Sequence, residues 1–313
     1  MNLVFAGTPR FAVPTLETLV EAGFPVRLVI TQPDKARGRG LELGASPVKH
    51  SASRLGLPVV QPEKVRNNEE LRTQLLALNP EVVIVVGYGR LIPQWMIALP
   101  RYGNLNLHAS LLPKYRGAAP IQWAIAEGER VTGVTTMRID AGLDTGDILL
   151  QREMPIEPDD TAETLAPRLA NVGAGLMIET LRGLEAGRIQ PRPQDHSQAT
   201  LAPLLKKENG VIDFLRPATE IRNRLRGFQP WPGAVTTFRG RSLQVRSAKL
   251  TTEAAQAAPG EIHVHRDRLL VGCGQRTALE LLEVQPEGKK RMPARDFIHG
   301  YRPCSGERLG PGP

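Results

Sequence analysis

Three nearly continuous apolar runs, rich in Val and Ile, constrain the fold of this chain more than any other feature: Leu3 to Ala6, Val26 to Ile30 (broken by Arg27) and Val82 to Val86, each bounded by Gly, Pro or polar residues. Such runs, without polar alternation, read as strands covered on both faces, and strands of that kind belong to parallel sheets flanked by helices. Between the first two runs, Phe11, Val13, Leu16, Leu19 and Val20 recur at near-helical spacing and stop at Gly23. Between the next two, Pro47 to Leu55 and Glu69 to Leu78 supply further helical patterns. The alternation implies βαβ units, hence an α/β fold with a doubly wound, mostly parallel, Rossmann-like sheet whose site lies at the carboxyl ends of its strands. The turn after the first run, Gly7-Thr8-Pro9, is neither a dinucleotide fingerprint nor a Walker A motif, so a nicotinamide or ATP cofactor is not expected.

At 313 residues the chain suits two domains. After Asp160 a long helical stripe carries Leu165, Leu169, Val172, Leu176, Leu181 and Leu184 as far as Gly187, with Pro167 required to sit in its first turns or to bend it. The segment Arg188 to Asp195 that follows holds two prolines and reads as a connector. The expected division is a first domain over 1–189, a linker over 190–207 and a second domain over 208–313. In that last part Pro217 to Phe228 forms a basic amphipathic pattern with Arg222, Arg224 and Arg226. Five short β-like segments come next: Ala234 to Phe238, Leu243 to Ser247, Gly260 to Val264, Arg268 to Gly272 and Ala278 to Val284. Together they suggest a small β-barrel of the oligonucleotide-binding (OB-like) type.

Charge separates the two parts. Up to Leu205 there are 21 Lys plus Arg and 21 Asp plus Glu; the remaining 40 − 21 = 19 cations and 32 − 21 = 11 anions give the whole net charge of +8. A basic module on a neutral one points to a polyanionic partner such as nucleic acid. Two cysteines, Cys273 and Cys304, are too few for a disulfide framework. The chain begins without a basic leader, and no uncharged stretch is long enough to span a bilayer, so a cytoplasmic protein is expected.

Chemistry concentrates in Asn104-Leu105-Asn106-Leu107-His108-Ala109-Ser110-Leu111-Leu112-Pro113, followed by Arg116-Gly117. If Leu105 to His108 is a strand, its period of two puts Asn106 and His108 on one face at the carboxyl end. A second polar cluster, Asp140 to Asp147, follows a strand-like Gly133 to Ile139, and its glycines allow a tight turn. No His/Cys/Asp grouping has metal-ligand spacing; His263 and His265 read as an alternating strand pair. Ser110 lacks the context of an activated nucleophile.

Together these segments resemble the folate-dependent formyltransferase family, whose catalytic trio is an Asn, a His two residues later and an Asp in a Gly-x-Asp-x-Gly turn; the matching residues are Asn106, His108 and Asp144. The resemblance extends over essentially the whole chain to the branch that formylates an aminoacyl-tRNA. It rests on Phe5 to Pro9, Thr31 to Asp34, Gly38-Arg39-Gly40, Ser46 to Lys49, Pro230-Trp231-Pro232-Gly233 and Gly288-Lys289-Lys290. It implies transfer of the formyl group of 10-formyltetrahydrofolate to the amino group of methionyl initiator tRNA, by a monomer needing no metal. The implied folate contacts are Gly89, Arg90, Leu91 and Ile92 on one loop, Asp140 and Gly142 on another, and Ser110, Leu111, Leu112 and Pro113. The implied tRNA contacts are Lys35, Arg37 and Arg39 in a loop entering the acceptor end, with Lys206 and Lys207. Leu41-Glu42 stands where related loops carry a lysine pair, which lowers the charge of this one.

Attack of an amine on a formyl carbon creates an oxyanion, so the chemistry needs a donor aimed at it and a proton carrier. Asn106 offers the first and His108 the second, with Asp144 supporting the imidazole. Two other readings share parts of this pattern. Formylation of a small amine would use the same trio without needing a basic second domain, and a non-catalytic nucleic-acid-binding protein would need only that domain.

Overall fold

The computed structural model describes residues 1–37 and 42–310. These fall into two compact units: 1–120, 131–155 and 166–203 form the first, and 121–130, 156–165 and the described chain from 204 onward form the second.

In chain order the structure begins with β1 (Leu3–Gly7), α1 (Val13–Glu21), β2 (Val26–Ile30), a short pair β3 (Lys35–Arg37) and β4 (Glu42–Gly44), α2 (Pro47–Arg54) and β5 (Val59–Val60). It continues with α3 (Glu69–Leu78), β6 (Val82–Val86), α4 (Gln94–Ile97), β7 (Asn104–His108), α5 (Pro120–Ala126), β8 (Val131–Arg138), β9 (Ile148–Pro155) and α6 (Ala162–Glu185). The first unit's sheet has the order β5-β2-β1-β6-β7-β8-β9. Five of its strands pair in parallel, β8 runs antiparallel to β7, and β9, antiparallel to β8, resumes the direction of the five. It is the doubly wound α/β sheet that the apolar runs imply: every residue of β1 and β6 is buried, which is why neither strand alternates.

Local signals fix the helices. Ser46 caps α2 by accepting from Lys49 N, with Pro47 in its first turn. Asn68 caps α3 through Leu71 N, and Asn79 ends it in the left-handed region at φ 44°. The long helix α6 runs through Pro167 in its second turn. It approaches β7 closely at Gly173, where an added Cβ would stand 2.7 Å from Leu107 Cδ2. That contact seats the strand carrying Asn106 and His108.

The second unit adds α7 (Ala218–Gly227), β10 (Ala234–Phe238), β11 (Arg241–Thr251), β12 (Ile262–His265), β13 (Arg268–Cys273), β14 (Thr277–Pro286), β15 (Met292–Pro293) and α8 (Ala294–Tyr301). Its antiparallel sheet has the order β10-β11-β14-β13-β12, with β15 on β14. Residues 307–310 tie both edges: Gly310 N donates to Thr237 O at 3.0 Å, and Ile262 N donates to Glu307 O at 2.7 Å. That closure is consistent with the small barrel expected. Phe214, Ile221, Leu225, Phe238, Leu279 and Phe297 belong to its core. In the same unit Trp123 of α5 meets Phe228 edge-on, with ring centroids 5.3 Å apart. Among the described residues no helix is long and apolar enough to cross a membrane.

Candidate active site

Three loops at the carboxyl ends of β1, β2 and β6 are knotted at one carbonyl. Tyr88 O accepts from Thr8 Oγ1 at 3.2 Å and from Gln32 Nε2 at 2.8 Å. Gly87 and Gly89 both hold positive φ, 55° and 73°, as this tight turn requires. Beyond them Gly89, Arg90 and Leu91 are exposed and Ile92 is half-buried; Leu91 is 92% exposed.

On β7, Asn106 is half-buried and His108 is buried. The Asn106 amide has no hydrogen-bond partner among the described residues, which leaves its donors free for a ligand. The ring of His108 is held by its Nε2, 2.8 Å from Tyr115 O. A carbonyl can only accept, so Nε2 carries a proton in this bond and Nδ1 is the nitrogen left to take or give one. That nitrogen lies 3.6 Å from Asp144 Oδ2.

Asp144 reaches this place by an indirect path. β8 is antiparallel to β7, so its end at Arg138 lies beside Leu105, at the start of β7, while His108 pairs with Thr135. The loop after β8 therefore has to return along the sheet. Asp140 shapes its first half, accepting from Gly142 N at 3.0 Å and from Thr145 Oγ1 at 2.7 Å. Asp144 itself takes φ 51°, in the left-handed region that Asp tolerates. Its carboxylate accepts from Gly117 N at 2.9 Å. Thus Asp144 is brought to His108, which lies two residues along β7 from Asn106, and Asp140, Gly142 and Leu143 are exposed on the same loop.

The segment after β7 builds the site from beneath. Ser110 is fully buried and its hydroxyl donates to Lys114 O at 2.6 Å. Leu112 is buried with Met137 and Ile148, while Leu111 and Pro113 are half-buried. Thr135 and Gln194 escaped the sequence reading, which named Arg116 only as part of a loop motif. Thr135 Oγ1 donates to Ser110 O at 2.7 Å and accepts from Leu112 N at 3.2 Å. Residues 192–202, within the stretch expected to connect the units, lie on the first unit: Arg192 bridges Ile148, and Thr200 O accepts from Arg116 N at 2.8 Å. No local pattern marks these contacts, since their partners lie far away in the chain.

The residues suited to polyanion contact are spread out. Lys35 and Arg37 fall in β3, paired with β4 from Lys35↔Gly44 to Arg37↔Glu42; Arg39 lies outside the described residues. Lys206 and Lys207 are exposed. Within the second unit a cavity of about 570 Å³ is lined by Arg222, Arg226, Arg246, Lys249 and Arg291, which outnumber its carboxylates Asp159, Glu163 and Glu283. Burial, and then the neighbouring Arg222, pull the Arg226 guanidinium below its ordinary value. Its Nε is buried without a hydrogen-bond partner among the described residues. Arg291 makes no ion pair among the described residues. Of the two cysteines, burial pushes the Cys273 thiol up to about 12, and Cys304 is exposed. Among the described residues no group of three or more His, Cys, Asp or Glu is placed to hold a metal ion.

The fold is that of the N-formyltransferases. The N-formyltransferase from Helicobacter canadensis, in complex with folinic acid and dTDP-3-aminofucose, superposes with a TM-score of 0.66 at 20% identity, covering 91% of this chain and 98% of that one. The sequence carries the assignment further. The profile of the formyl transferase family matches residues 1–181, and that of the formyl transferase C-terminal domain matches residues 204–302. The methionyl-tRNA formyltransferase of Koribacter versatilis is 66% identical over 310 residues, 99% of both chains. That of Caldanaerobacter subterraneus is 49% identical over 301 residues, 96% of this chain and 97% of that protein. The chain belongs to the formyl transferase family.

Proposed function

We propose that the protein transfers the formyl group of 10-formyltetrahydrofolate to the free amino group of methionyl initiator tRNA, yielding the formylated aminoacyl-tRNA used to start translation. In this reading residues 1–189 carry the chemistry and 208–313 the basic tRNA-binding surface, joined by 190–207. The observation that carries it is the convergence of Asp144 on His108, at 3.6 Å, beside an Asn106 amide that nothing else in the described chain engages.

Bound 10-formyltetrahydrofolate supplies an electrophilic formyl carbon. The residues present fit such a carrier: the loops at 87–92 and 139–147 expose Leu91 and Leu143, apolar cover for a ring system, together with backbone polar groups. Asn106 donates its amide to the formyl oxygen, where negative charge develops. A donor of this kind is worth about 10²–10³ in rate. His108 Nδ1 takes the proton that the attacking amine loses and returns it to the folate nitrogen as that nitrogen's bond to the formyl carbon breaks, while Nε2 stays bonded to Tyr115 O. Asp144 stabilises the positive charge that then resides on the ring. Its own placement depends on Gly117 N, so the loop after β7 and the loop after β8 set the site jointly.

The tRNA reading is supported by the charge of the second unit and by the names of the relatives. Lys35, Arg37, Arg39, Lys206 and Lys207 are the proposed contacts, and the Arg-lined cavity offers further sites for phosphate. The decisive assay offers methionyl initiator tRNA beside glycinamide ribonucleotide, with 10-formyltetrahydrofolate as donor. Preferential formylation of the tRNA is expected, with Asn106→Ala and His108→Ala losing turnover but retaining tRNA binding. Preference for the small amine would overturn the substrate assignment.

A further inference from the structure

Gln194 sits between two distant parts of the site. Of the described residues between 190 and 200 it alone is buried, 6% exposed, although prolines at 191 and 193 mark the stretch as a connector. Its Oε1 accepts from Arg116 Nε at 3.1 Å and from Arg116 Nη2 at 2.7 Å. Its Nε2 donates to Asp144 O at 2.9 Å and to Gly146 O at 2.7 Å. Both lone pairs and both N–H groups of the amide are thus committed, and only one orientation satisfies all four, because a flipped amide would set N–H against guanidinium and oxygen against two carbonyls. Arg116 is itself buried, and Arg116 N and O are anchored to Thr200 O and Ala202 N at 2.8 and 2.7 Å. The next residue closes the ring, since Gly117 N holds the Asp144 carboxylate.

We infer that Gln194, braced by Arg116, is a positioning residue for Asp144: it fixes the 144–146 turn so that the carboxylate stands beside the His108 ring. The inference rests on the reading in which Asp144 assists formyl transfer. Neither Gln194 nor Arg116 is asked to touch the reacting atoms. The chemistry demands an amide at this place. A carboxylate there would keep the Arg116 contact but face two carbonyl oxygens with a third oxygen.

The test is a double-mutant cycle on the full chain: Gln194→Glu, Asp144→Asn and the pair, each assayed for kcat and for KM with methionyl-tRNA at saturating 10-formyltetrahydrofolate, with melting curves alongside. Gln194→Glu is expected to lower kcat by up to about 10²-fold, the size of loss that a ~1 Å misplacement can cause. KM for the tRNA should hardly move, and in the Asp144→Asn background the same change should have no further effect. Gln194→Met, similar in length but without hydrogen bonds, covers the case of a Glu variant that does not fold, and the same non-additivity is expected. An equal fall in both backgrounds would mean a merely structural residue, and an unchanged kcat would mean no role; either overturns the inference alone. Full activity of Asp144→Asn would refute the reading of Asp144 and the inference with it.

Discussion

Gly146→Ala is the most direct probe of how the Asp144 turn is held. Gly146 is buried, and a Cβ added there would stand 2.0 Å from Arg138 O and 3.0 Å from the carbonyl carbon. Since Cβ contacts under 3.0 Å essentially never occur, something must move by at least 3.0 − 2.0, about 1 Å. The obstacle is main chain at the end of β8, paired with Leu105, and it cannot rotate away as a side chain would. The turn therefore yields, carrying Asp144 with it. If that motion lies along the Gly117 N bond, 2.9 Å becomes about 3.9 Å, beyond hydrogen-bonding range. A displacement of ~1 Å at a catalytic group costs about 10²-fold in rate, or about 2.7 kcal/mol of barrier. Overpacking should also cost about 1–3 kcal/mol of stability. Single-turnover formylation of methionyl-tRNA, measured well below the melting temperature, separates the two effects. Turnover that falls only in proportion to the unfolded fraction, or not at all, would refute the argument that this turn sets the position of the carboxylate.

Three further outcomes follow from other parts of the structure. Gly175 is exposed in α6 with no atom near its added Cβ, so Gly175→Ala should raise stability by about 0.5–1 kcal/mol without changing turnover; destabilisation would contradict the open space seen there. Burial alone would raise the Glu280 carboxyl, but hydrogen bonds from Arg268 and Lys249 outweigh it and hold the group below its ordinary 4.5. Because its folded value is depressed, this stabilisation is complete above 4.5 and is lost as pH falls through the folded value; Glu280→Gln should lower the melting temperature at neutral pH and flatten its acid decline, and an unchanged acid limb would count against it. Arg291→Ala, at the rim of the basic cavity, should reduce the slope of log affinity for tRNA against log salt by about 1, whereas an unaltered slope would remove Arg291 from the RNA contact.

What the sequence revealed and what it hid divide along a physical line. β1 and β6 were legible because burial on both faces writes a continuous apolar run, β2 because only Arg27 breaks its run, and Asn106 and His108 because two residues along a strand share a face. β9 was missed: its half containing Gln151, Arg152 and Glu153 is mostly exposed, as an edge strand's can be, and it shows no alternation. The β8 strand was legible, but its direction was not, because alternation looks the same whether a strand runs parallel or antiparallel. That direction decides how Asp144 must travel, so only the resemblance to a known family could pair it with His108 before the coordinates did. Gln194 lies deeper still, in a polar stretch between prolines, where its buried amide is bound by Arg116 and by the turn it holds, both distant in the chain. Local pattern therefore identifies the groups that can do chemistry, and long-range hydrogen bonds determine whether they meet. It follows that substitutions in the 192–202 segment, which respect every local rule, should impair this enzyme more than their exposure and composition would suggest.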